Sequence, residues 1–154
     1  MSANWASDAA AQLRKRAADT ERREALLLEQ RKLREEQGPG LWGLLQQAVA
    51  DRCLELNKEY GQPVLFFKSL KAEEFSVKFQ FDGKISTLVG RFTVTTANDA
   101  LKWLYEGYAA SQGAHNDSCM LRPVDGVVAF SRTGVEARAL GEIAEEMMTG
   151  LIKG

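Results

Sequence analysis

The chain has 154 residues, about the length of one domain. Twenty lysines and arginines stand against 21 aspartates and glutamates, and the formal net charge of -1 excludes a strongly basic chain of the histone or ribosomal type. With 45% apolar and 27% charged residues, the composition fits a soluble globular protein. It excludes a collagen, a wholly disordered chain and a membrane bundle.

Two cysteines, Cys53 and Cys119, lie far apart and neither sits in a C-x-x-C pair. This spacing offers no zinc or redox motif and is read as two reduced, buried thiols. Residues 1–8 show no basic start followed by an apolar run, so no secretory signal is expected. The longest apolar runs, such as Val64 to Phe67, have four residues, whereas a membrane span needs roughly 20. The expectation is a soluble, cytoplasmic protein of bacterial style, with no membrane role.

Residues 1–37 form the first part of the chain, a charged helical arm. They hold 8 Lys and Arg and 7 Asp and Glu, with no Val, Ile, Phe or Tyr. Ala, Leu, Glu, Arg and Gln dominate, all good helix formers, and Ser7 or Asp8 is placed to cap the start. Ala10, Leu13, Ala17, Thr20, Glu24 and Leu27 keep heptad spacing, but only Leu13 and Leu27 are large. So thin a stripe does not sustain a helix by itself; the arm frays or docks on something.

Gly38-Pro39-Gly40 is expected to break the helix. Residues 38–154 then form the second part, an α+β domain. Its first helix runs from Leu41 to Tyr60, with Trp42, Leu45, Val49, Cys53, Leu56 and Tyr60 as the apolar stripe, widened by Leu41, Leu44 and Ala48. Gly61 ends it and Pro63 follows.

Strands follow. Residues 64–70 are β-rich, and Phe75, Val77, Phe79 and Phe81 alternate with polar residues as in a half-buried strand. Asp82-Gly83 signals a hairpin. A three-residue loop, 82–84, sets Phe81 opposite Ile85 and Val77 opposite Val89, with Gly83 in the left-handed position. The next strand changes parity at Gly90-Arg91, which predicts a bulge. Residues 100–110 fit a helix capped by Asn98 or Asp99, and they also fit a strand. Trp103-Leu104-Tyr105 favours the strand and Gly107 disfavours the helix. Residues 119–124 and 127–130 form a last hairpin about Asp125-Gly126, with Pro123 at an edge or with its nitrogen outward. The closing helix uses Leu140, Ile143, Ala144, Met147 and Leu151. Thr133-Gly134-Val135-Glu136 has capping-box spacing, but Gly141 puts the firm start near Arg138. The fold class is therefore α+β: a long helical arm, a helix, an antiparallel β-meander and a C-terminal helix, with helices packed on one sheet face.

The apparent motifs fail on their mechanisms. Gly38-Pro39-Gly40-Leu41-Trp42-Gly43 matches G-x-G-x-x-G in letters, but a charged helix precedes it where the phosphate-binding turn needs a strand. His115 is the only histidine, and Cys53 is its only thiol candidate, on an apolar stripe where thiols are inert. No catalytic, cofactor-binding or metal-binding residue is assigned, and no cofactor is expected. Arg14-Lys15-Arg16, Arg22-Arg23 and Arg31-Lys32-Arg34 are interleaved with acids, so nucleic acid is not the favoured partner.

The layout resembles that of small uncharacterised bacterial proteins, carried over most of the chain by the charged helix, Trp42 to Asn57, the β-meander and the final helix. The resemblance implies an α+β domain and a strand at 101–108. It implies no activity.

These readings point to a non-enzymatic interaction or assembly module with a protein partner or a homo-oligomer. Leu13, Leu26, Leu27, Leu28 and Leu33 are the arm's contact candidates, and Trp103, Tyr105 and Tyr108 form a second candidate patch. The alternative is a small-ligand binder or unrecognised enzyme with a pocket between helix 41–60 and the sheet, near Cys53 and Asn57.

Overall fold

The computed structural model describes residues 4–97, 99–133 and 136–153. Its elements in chain order are α1 (Trp5–Tyr60), β1 (Leu65–Lys71), β2 (Glu74–Asp82), β3 (Thr87–Ala97), β4 (Ala100–Gly107), α2 (Tyr108–Ser111), β5 (Asp117–Val124), β6 (Val127–Ser131) and α3 (Leu140–Lys153). The six strands form one antiparallel meander in the order β1-β2-β3-β4-β5-β6. Helix α1 packs on α3, β1, β5 and β6, and α3 packs on β3 and β4.

The expected helix break is absent. One helix of 56 residues runs through Pro39, starting at Trp5 with Asn4, rather than Ser7 or Asp8, at the cap position. A proline inside a helix removes one N–H and costs about 3 kcal/mol relative to alanine. Tertiary contacts on both sides of it hold the helix onto the sheet. Arg34 Nε lies 3.1 Å from Asp99 Oδ2. The Val128 N–H donates to Gln37 Oε1 at 2.8 Å, and Trp42 Nε1 donates to the Ala72 carbonyl at 2.9 Å. A Cβ on Gly38 would stand 3.3 Å from Leu121 Cδ2, so the helix axis passes close to β5 there. At the other end, Gly61 takes the left-handed conformation (φ 89°) and donates to the Asn57 carbonyl, as its position after the stripe predicts.

The stripe of α1 enters the core at Trp42, Leu45, Val49 and Cys53. Leu56 and Leu41 pack at its margin, whereas Leu44 and Tyr60 are exposed. The Tyr60 ring meets Phe81 edge-on at 6.3 Å.

Two sheet details correct the sequence reading. In the β2–β3 hairpin, Val77 pairs with Phe92, Phe79 with Gly90, Phe81 with Leu88 and Asp82 with Thr87. The loop is 83–86, closed by the Gly83 N–H on the Ser86 carbonyl, and Gly83 is not left-handed. The register also runs from Glu74↔Thr95 to Asp82↔Thr87 without a bulge at Gly90-Arg91. The physical reason is burial. The longer loop stacks Phe75, Val77, Phe92 and Val94 together on the core face, and the alternation at Ile85, Thr87 and Val89 belongs to the wet face. Ile85 is 99% exposed. Consequently Phe81, placed in the core by alternation, lies at the margin, 36% exposed.

Residues 100–107 are a strand, as read, but the reading ran on to 108–110, which instead fall in α2 once Gly107 turns the chain at φ 70°. The helix cap at Asn98 falls outside the described residues, and Asp99 takes φ 61° in the β3–β4 turn. The β5–β6 hairpin turns at Asp125 (φ 52°) and Gly126 (φ 81°), the two positive dihedrals of a type I′ turn. Pro123 faces Val128, whose N–H points away to Gln37, so the missing donor costs that pair nothing. The capping box lies partly outside the described residues, because it includes positions 134 and 135. Helix α3 buries Ile143, Ala144, Met147, Met148 and Leu151. The Tyr105 hydroxyl donates to the Met147 carbonyl at 2.8 Å, and Gly150 leaves it room: a Cβ there would lie 2.3 Å from Tyr105 Oη.

Candidate functional site

Helix α1 has two sections with different surroundings. Residues 5–29 are almost wholly exposed, whereas Leu33, Arg34 and Gln37 already touch the sheet domain. On the outer section Leu13, Leu26, Leu27 and Leu28 are each more than half exposed. Leu33 differs from them and packs against the margin of the core. Along the outer section and just beyond it, the helix is supported by good propensity and by surface pairs such as Arg22–Asp19 and Arg31–Glu35, each worth about 0.2–0.5 kcal/mol.

The second candidate patch is corrected. Trp103 and Tyr105 are buried, 1% and 7% exposed, because β4 alternates toward α3 and the odd-numbered side chains of 101–105 face the core. Leu104 and Lys102 face water instead. Tyr108 is half-buried at the start of α2. The three aromatics therefore make no common surface. Burial pushes the Tyr105 hydroxyl up to about 12, aided by repulsion from the Glu146 and Asp117 carboxylates.

The candidate pocket residues serve packing. Cys53 is 3% exposed, its Sγ lies 4.0 Å from Met148 Sδ, and burial pushes its thiol up to about 12. Asn57 spends its whole amide on β1: Oδ1 accepts from the Val64 and Leu65 N–H groups and Nδ2 donates to the Leu65 carbonyl, each at 2.9 Å. Leu65 lies on an edge strand, so this side chain occupies the place of a neighbouring strand. Gln37 does the same for Val128 on the opposite edge, β6. The two amides stand 20 residues apart, about 30 Å along a helix, against about 24 Å across six strands. One helix thus spans the sheet and covers a backbone position on each edge.

Concave surfaces lie both against the sheet and between helices: one of about 460 Å³ is bounded by Arg34, Pro39 and Trp42 of α1 and by Ala72, Thr96 and Asp99, away from Cys53 and Asn57. A groove of about 350 Å³ runs between α1 and α3. Leu56, Met148 and Ile152 form its apolar lining, and Glu55, Glu59, Glu145 and Arg52 its charged rim. Arg52 bridges the two helices, 3.1 Å from Glu55 and 3.2 Å from Glu145. Sequence reasoning placed the pocket against the sheet and missed this groove. The signal was present as carboxylates at spacings of three and four on each helix, but only the fold sets the two faces side by side.

A third cluster links β5, the chain after β6, and α3: Arg132 pairs with Asp117 and Glu146, and Arg138 pairs with Glu146 and donates to Cys119 Sγ at 3.4 Å. It ties α3 to the end of the meander. His115 is exposed in its loop, remote in setting from the buried Cys53. Gly38 to Gly43 lie within α1, so no turn presents backbone N–H groups to a phosphate there. Among the described residues no group of three or more His, Cys, Asp or Glu is placed to hold a metal ion, and no helix is long and apolar enough to cross a membrane. Compared with protein-family models, curated proteins and solved structures, the chain matches none of them.

Proposed function

We propose that the chain is a non-enzymatic interaction module that self-associates through the outer section of α1. One observation carries this reading: some 25 residues of continuous helix leave the sheet domain with Leu13, Leu26, Leu27 and Leu28 exposed. Leucine side chains held on a helix without a covering layer favour association, because burying the half or more of each that is still exposed returns about 1–2 kcal/mol. The small-ligand reading has less support, since Cys53 and Asn57 are both consumed by packing and hydrogen bonding within the fold.

Light scattering on a sizing column, over a dilution series, tests the proposal. The full chain is expected to run as a dimer or larger species that dissociates on dilution. The triple variant Leu26→Gln, Leu27→Gln, Leu28→Gln is expected to run as a monomer throughout. A full chain that stays monomeric at the highest concentration overturns self-association.

A further inference from the structure

We infer that the groove between α1 and α3 of one protomer receives the Leu26–Leu28 segment of a second copy's arm. This rests on the self-association reading and names the surface that the arm meets.

Three consecutive leucines sit 100° apart around a helix, so they cover about 200° of its circumference. The seam between two paired helices is narrower than the roughly 100° stripe with which a helix faces a core. Arm-to-arm pairing would therefore leave one or more of Leu26, Leu27 and Leu28 in water. It would also set Thr20 and Glu24 in the seam. A groove between two helices embraces a wider arc and accepts a third helix with side chains on several sides.

The α1–α3 groove has the matching chemistry. Its apolar lining, Leu56, Met148 and Ile152, includes a side chain that is 40% exposed at Ile152. Its rim carries three carboxylates, Glu55, Glu59 and Glu145, against the single guanidinium of Arg52. The arm segment 22–32 carries the opposite balance, with Arg22, Arg23, Arg31 and Lys32 against Glu24 and Glu29. Arg23 and Lys32 have no ion-pair partner among the described residues. Opposite rims steer the approach and fix orientation.

The occupant is a second copy because the chain's own arm does not reach. Leu27 and Leu56 lie 29 residues apart on one unbroken helix, about 44 Å. That same spacing in both copies lets two antiparallel α1 helices exchange arms, each seated in the other's groove. The contact then closes as a two-fold dimer rather than extending as a filament.

The experiment uses full-length chains. The groove variant is Thr149→Glu with Ile152→Glu, both on exposed α3 positions, with Glu59→Arg as a second groove variant that leaves the apolar lining intact. The arm variant is the triple leucine substitution above. Far-UV circular dichroism and the thermal midpoint establish that each variant is folded. Both groove variants and the arm variant are expected to weaken self-association at least tenfold. An equimolar mixture of the groove and arm variants is expected to recover a heterodimer, because one intact arm then meets one intact groove. Groove variants that dimerise like the parent, or a mixture that stays monomeric, overturn the groove as the arm's seat while the arm reading stands. An arm variant that dimerises like the parent overturns both.

Discussion

At the residue scale, Cys53 and Asn57 show how position beside an apolar stripe is decided by what the fold places opposite. Cys53 was legible as an inert thiol because it recurs with Trp42, Leu45 and Val49 at helical spacing. Burial raises its pKa from the ordinary thiol range to about 12, so the thiolate is scarce at pH 8. Iodoacetamide at pH 8 is therefore expected to leave Cys53 unmodified in the folded chain and to alkylate it in urea; rapid labelling of the native protein would contradict this. The sign of the linkage follows. The folded state keeps the Cys53 proton longer than the unfolded state, so the contribution of Cys53 to stability is level below about pH 9 and falls as pH rises from about 9 to 12, and Cys53→Ala should remove that part of the alkaline fall while the part due to Tyr105 stays. Asn57 was legible only as a polar residue beside the stripe. Its partners are backbone groups of Val64 and Leu65, which no side-chain pattern announces. Asn57→Ala strips three hydrogen bonds from the start of β1 and should cost about 2–3 kcal/mol, read as a lowered urea midpoint with an unchanged slope.

At the element scale, strong periodicity was readable and register was not. The stripe of 42–53, the strand at 100–107 and the closing helix follow from burial periods of 3.6 and 2 that the residue types display. The β2–β3 register escaped because Ile85 and Val89 look like core residues in sequence, and their outward placement is set only when Phe92 and Val94 are stacked on Val77 and Phe75. The run through Gly38-Pro39-Gly40 escaped for a related reason. Local preference favours a break, and contacts made by Arg34, Gln37 and Trp42 with distant strands outweigh it. A continuous helix at this point has a measurable consequence. Pro39 is exposed, so Pro39→Ala restores an intrahelical hydrogen bond and should raise stability by about 1–2 kcal/mol, after allowing for the stiffer unfolded chain that proline provides. Gly40 has open space where a Cβ would go, so Gly40→Ala should add about 0.5–1 kcal/mol. A break at 38–40 would give the opposite sign for both, since alanine would then occupy a turn. Urea midpoints of the two variants decide it.

At the scale of the whole molecule, the α+β arrangement was readable from the sequence of periods, but the division of labour along α1 was not. The composition changes at Gly38, whereas the mechanical boundary lies near residue 30, where the helix first meets the domain through Leu33, Arg34 and Gln37. These residues belong to the charged arm by composition and to the sheet by contact. The α1–α3 groove was hidden likewise, since its lining comes from positions 52–59 and 145–152 and is assembled only when the meander returns the chain to its first helix. Two truncations separate composition from contact. Removing residues 1–29 takes away no core contact among the described residues, and the unfolding midpoint should match that of the full-length arm variant measured as a monomer. Removing residues 1–37 deletes the Arg34–Asp99 pair and bares the Val128 N–H on the β6 edge. That cut should cost about 2 kcal/mol or more and promote association through an uncovered strand edge, which rises with concentration and is independent of the arm leucines. Equal midpoints for the two truncations would mean that the helix docks only after Gly38 and that the contacts of Leu33, Arg34 and Gln37 add nothing to the fold. A loss on the longer truncation alone would place the boundary between domain and arm inside the charged segment, eight or so residues before the glycines that mark it in the sequence.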